Sequence, residues 1–87
     1  MNIKNYLDIS FERKYKSLII IEYLIKNFQF IVKQDNVMND IRTMIIKNRY
    51  GEITICTTIV HKKNAYMELT EYIEIYYNNL FYNFNAD

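Results

Sequence analysis

The sequence predicts a small α+β domain spanning residues 1–87: an N-terminal helix, a three- to four-stranded antiparallel sheet built around a central hairpin, and a C-terminal helix packed on the sheet. Three observations predict it. Apolar residues recur at helical spacing between Asp8 and Asn27. Residues 41–60 alternate on either side of the chain's single glycine, Gly51. Helical spacing then returns after Thr70. Eighty-seven residues make one domain, and 51% hydrophobic composition supplies a core and argues against disorder.

The first helix is expected from Asp8 or Ser10 to Asn27. Ser10 can serve as N-cap, accepting a free amide of the first turn. Arg13 stands where a capping box wants Glu or Gln. At 100° per residue Leu18, Ile21, Leu24, Ile25 and Phe28 share a face. Ile19 and Tyr23 fall on another, near Phe11 and Tyr15. The β-branched run Ile19-Ile20-Ile21 leaves a strand as the alternative for residues 18–21.

Next, "FQFIVKQ" alternates and reads as a strand, with "DNVMND" as a polar turn. In "DIRTMIIKNRYGEITICTTIVHK" a loop of Arg49, Tyr50 and Gly51 would set Asn48 opposite Glu52. That register pairs Ile45 with Ile55, Thr43 with Thr57 and Ile41 with Ile59, gathering nearly every isoleucine on one side and leaving Ile46 on the other. "HKKN" turns the chain, and "AYMEL" is a candidate short strand. Thr70 can cap a final helix reaching Phe81 or Asn83, with Glu71 in its first turn, where the helix dipole favours a carboxylate.

Cys56 is the only cysteine, so no intramolecular disulfide can form, and a reducing compartment follows. The charged N-terminus does not read as a secretion signal. The longest apolar run, "SLIIIEYLIKNFQFIV", is too short to span a bilayer and carries Glu22 and Lys26. A cytoplasmic location, in a bacterium or an infected host cell, is the expectation. Ile, Asn, Tyr and Lys supply 43 of 87 residues, while Gly, Ala and Pro supply 3. The four abundant types use AT-rich codons and point to an AT-rich genome.

The net charge of +1 is unevenly placed. Residues 1–63 hold 11 basic and 6 acidic residues; residues 64–87 hold four acidic residues and no base. A basic body therefore leads into an acidic, aromatic end.

No constellation for enzyme chemistry is visible. Cys56 and the single histidine, His61, fall on opposite faces of one strand, which denies them a nucleophile–base pair. One Cys and one His do not make a zinc site. Gly51 is taken by a turn, leaving no glycine-rich phosphate loop. No catalytic, metal or cofactor residue is assigned, and the chain reads as a non-enzyme.

Two binding readings remain. On the expected final helix, Leu69, Ile73, Tyr76, Tyr77, Leu80 and Phe84 form a core stripe. Tyr72, Ile75 and Tyr82 are left over, rimmed by Glu71 and Glu74, and such an apolar ridge with a polar rim suits a protein interface. The expected function is that of a small non-enzymatic protein–protein interaction protein. It is the kind of inhibitor or accessory factor a phage or mobile element encodes, of anti-CRISPR or other anti-defence type. Its partner would be a protein, including a host nucleic-acid-binding complex, or a second copy in a homodimer; no membrane partner is expected. The alternative is a small nucleic-acid-binding or regulatory domain contacting phosphates through Arg13, Lys14, Lys16, Arg49, Lys62 and Lys63. A near-neutral pI of about 7.8 weighs against it.

Overall fold

Two helices, rather than one, precede the sheet in the computed structural model, which describes residues 1–62 and 68–86. α1 spans Ile3–Glu12 and α2 spans Ser17–Phe28. Asn2 caps α1, its Oδ1 accepting the Asn5 amide at 2.8 Å. Ser10 is therefore not a cap. It lies inside α1, where its buried hydroxyl donates to the Tyr6 carbonyl at 2.8 Å. The expected single helix breaks between Arg13 and Lys16: Lys14 adopts φ 53°, and the Tyr15 amide turns back to the Ser10 carbonyl at 3.0 Å. The Ile19–Ile21 run is helical, and Gln29 at φ 54° ends α2.

Five strands follow as an antiparallel meander: β1 Ile31–Met38, β2 Ile41–Asn48, β3 Gly51–Lys62, β4 Glu68–Tyr77 and β5 Leu80–Ala86, in that spatial order. β1 runs through most of the segment expected to be a turn. Only Asn39 and Asp40 turn, at φ 50° and 64°, the left-handed pair of a type I′ hairpin that Asn and Asp tolerate. A bulge at Lys33 shifts the β1–β2 register by one residue between Val32 and Gln34.

The central hairpin forms, but one residue away from the expected register. Asn48 pairs with Gly51, so the loop is Arg49-Tyr50, with the Asn48 Oδ1 accepting the Tyr50 amide at 2.8 Å. Ile46 faces Ile53 and Met44 faces Ile55, all buried, while Ile41 and Ile45 pair with Thr58 and Thr54 on the opposite face. Isoleucines occur at both parities of β2, so the apolar pattern alone could not choose the register.

The C-terminal helix is replaced by the β4–β5 hairpin. Asn78 at φ 55° opens a two-residue turn, Tyr77 pairs with Leu80, and Ile75 pairs with Tyr82. The β-branched and aromatic content of both arms favours this outcome. Most of the expected "AYMEL" strand lies outside the described residues, as does the end of "HKKN".

Both helices pack on one face of the sheet. Leu7, Ile20, Leu24 and Phe30 meet Ile46, Ile53, Ile55, Ile73 and Ile75 there, all fully buried. Each such side chain contributes roughly 1.5–3 kcal/mol by leaving water. Tyr6 stacks on Tyr23 with ring centroids 3.9 Å apart, and Phe11 meets Phe84 edge-on at 5.8 Å. Among the described residues no helix is long and apolar enough to cross a membrane.

Candidate functional site

Among the described residues the opposite face of the sheet carries no helix. Strand alternation arranges its side chains in rows across all five strands. One row runs Gln34, Ile45, Thr54, Tyr76, Phe81, and the next runs Asn36, Thr43, Cys56, Glu74, Asn83. A third runs Met38, Ile41, Thr58, Tyr72, Asn85. The aromatic focus is the pair Tyr76 and Phe81, with centroids 4.8 Å apart at 37° and both rings exposed. The Tyr76 hydroxyl donates to Glu74 Oε2 at 2.9 Å, and this bond to a carboxylate raises its pKa, so it stays a donor. Asn83 donates to the Tyr72 hydroxyl at 3.3 Å. An apolar strip with hydrogen-bonding groups beside it can hold a protein surface.

The residues expected to form the interface divide between the two faces. Tyr72 and Glu74 are half-buried on the uncovered face. Ile75 and Tyr82 are buried on the covered face, directly opposite one another across β4 and β5. The expected helical ridge does not exist, because these residues are on strands and their side chains are core. The Tyr82 hydroxyl donates to Asp8 Oδ1 of α1 at 2.5 Å, and burial, then the Asp8 carboxylate, push its pKa up to about 12. Glu71 faces the helices too, where its carboxylate accepts the Ser17 amide at 3.0 Å. Tyr76 and Phe81 were missed: helical spacing assigned Tyr76 to the core stripe, and the Asn78-Asn79 turn between them was the signal for a hairpin.

Arg49 stands apart from Arg13, Lys14 and Lys16. Arg13, Lys14 and Lys16 are exposed in the α1–α2 connection. Arg49, beside the Tyr50 ring at 5.0 Å, lies in the β2–β3 turn, which Asn48 ties to the Phe28 carbonyl at the far end of α2. Twelve residues of helix, about 18 Å, separate the two groups. Lys62 ends β3, and Lys63 lies outside the described residues.

A cleft of about 500 Å³ opens where the helices stop short of β1 on the covered face, walled by Leu18, Ile21, Val37, Met44 and Ile59. Of its polar groups Ser17 bonds to Glu71 and Arg42 to Asp35, and Asp40 and Thr57 also line it. Cys56 is a free, half-buried thiol beside the Thr43 hydroxyl at 3.8 Å. Among the described residues no group of three His, Cys, Asp or Glu side chains could hold a metal ion. No family model, curated protein or solved structure matches the chain.

Proposed function

We propose that the chain is a non-enzymatic binding module that works by occupying a target protein, an inhibitor or accessory factor of the anti-defence type that phages and mobile elements carry. The observation behind this reading is the uncovered sheet face, with exposed Tyr76 and Phe81 in contact and polar Glu74 and Asn83 beside them. Tyrosine is favoured at binding hot spots because its ring gives contact area and its hydroxyl a directional bond. The target of such a module is a host protein, among them the nucleic-acid-binding complexes of defence systems, and its place of action is the cytoplasm.

The test is a pull-down from host-cell extract with the wild-type chain beside Tyr76→Lys and Phe81→Lys. Support is a protein captured by the wild type, retained at high salt, and lost with either variant. A captured set identical for all three would remove the face from consideration.

The exposed loop Arg13–Lys16 supports a second reading, phosphate contact with nucleic acid. Fluorescence anisotropy with labelled DNA and RNA separates the two, since phosphate-driven affinity falls steeply with salt.

A further inference from the structure

β1 forms one edge of the sheet, and all eight of its residues are exposed. Four are apolar and pair off at the two ends: Ile31 and Val32 at 67 and 49% exposure, Val37 and Met38 at 72 and 73%. Edge strands usually carry charges that repel another strand. The two charges here are engaged within the chain. Lys33 Nζ sits 2.6 Å from Glu52, and Arg42 holds Asp35 through two bonds of 2.9 and 2.7 Å.

The bulge adds symmetry. In a regular strand Ile31 and Met38, seven positions apart, would point to opposite faces. The extra residue at Lys33 removes that mismatch. Ile31 and Met38 pair with Lys47 and Ile41, both on the uncovered side, while Val32 and Val37 pair with Ile46 and Arg42, both on the covered side. A two-fold axis normal to the sheet at Asp35 would thus set Val32 against Val37 of a second copy, and Ile31 against Met38 of that copy, on matching faces at both ends.

We infer that β1 pairs antiparallel with β1 of a second copy about this axis, joining two five-stranded sheets into one sheet of ten strands. The free N–H and C=O groups of the edge become ladder bonds, and the isologous contact closes on itself. The two Asp35 carboxylates meet at the axis, each neutralised by Arg42 of its own chain. This surface is distinct from the Tyr76–Phe81 face, so the two readings stand or fall separately.

Light scattering on the full chain across a wide concentration range tests it. The expected mass is twice the 10.7 kDa of one chain. The double variant Val32→Lys with Val37→Lys should run as a monomer with unchanged circular dichroism. Arg42→Gln, which lies off the edge, should weaken the dimer by an order of magnitude by unmasking the Asp35 pair, and adding Asp35→Asn should restore it. Phe81→Lys should leave the mass unchanged. A wild type that stays monomeric overturns the inference, as does a dimer that survives the Val32 and Val37 changes or dissociates with Phe81→Lys. Should the valine variant fail to fold, the Arg42 and Asp35 variants decide: a dimer indifferent to both rejects the edge.

Discussion

The Glu71 carboxylate, near the start of β4, accepts the amide hydrogen of Ser17, the first residue of α2, at 3.0 Å across 54 positions of sequence. The Ser17 hydroxyl donates to the same oxygen at 3.2 Å. Lys16, at the N-cap, offers no side-chain bond, so the helix takes its cap and the complement to its dipole from the sheet. Glu71→Ala should cost about 1–2 kcal/mol, the scale of a lost cap. Glu71→Gln, which keeps an acceptor, should cost less. Urea unfolding of the three proteins measures both; equal stability would mean the contact contributes nothing.

The bond from Tyr82 to Asp8 predicts an alkaline limit. The phenol's pKa rises from 10 to about 12 in the folded chain. A group raised in this way adds stability that is fully present below pH 10 and lost as pH climbs through about 12. The thermal midpoint of the wild type should fall in that window, and Tyr82→Phe should flatten the fall. Scans at stepped alkaline pH, compared between the two proteins, check it.

Among the described residues the buried Tyr6 hydroxyl has no hydrogen-bond partner, and burial raises its pKa. An unsatisfied buried hydroxyl costs on the order of 1–3 kcal/mol. Tyr6→Phe removes it and keeps the ring stacked on Tyr23. The variant should be as stable as the wild type or up to about 1 kcal/mol more so. A clear loss in chemical denaturation would mean the hydroxyl has a partner, such as water.

Gly51 sits at φ 139°, a conformation that side-chain-bearing residues rarely adopt. Among the described residues its added Cβ would meet only the Asn78 Oδ1, at an ordinary 3.6 Å. The cost of substitution is therefore backbone strain rather than a clash. Gly51→Ala and Gly51→Val should each destabilise by about 1–3 kcal/mol, with the branched residue worse. A thermal midpoint unchanged in both would show that the turn relaxes freely.

The α+β class and the place of the central hairpin could be read in the sequence because Gly51 and the flanking alternation are local signals, but the expected three-residue loop is a two-residue one. The register could not, since a slip of one residue only exchanges Met44 and Ile46 for Ile41 and Ile45. The C-terminal hairpin imitated a helix for a geometric reason. A two-residue turn at Asn78-Asn79 puts Ile73, Tyr77, Leu80 and Phe84 on one face, at spacings of four, three and four, which is helical periodicity. Ile75 and Tyr82, seven apart, then looked like a second ridge, although they belong to the same covered face. The dipole argument placed Glu71 in the first turn of its own helix and fails there, since Glu71 is on β4 and the amide it accepts belongs to Ser17 of α2. The uncovered aromatic face became visible only once the strands were paired.

Each strand of the meander bonds to its neighbour in sequence, so the sheet can assemble by pairing segments that are close along the chain. The long closures are left to the helical layer, whose ties from Ser17 to Glu71 and from Asp8 to Tyr82 span 54 and 74 positions. Loop entropy grows only logarithmically with length, so these late ties cost little more than short ones. This connectivity lets the sheet form before the helices shut over one side of it. Until they do, the isoleucine-rich face that the helices cover is open to water as well as the face that carries Tyr76 and Phe81.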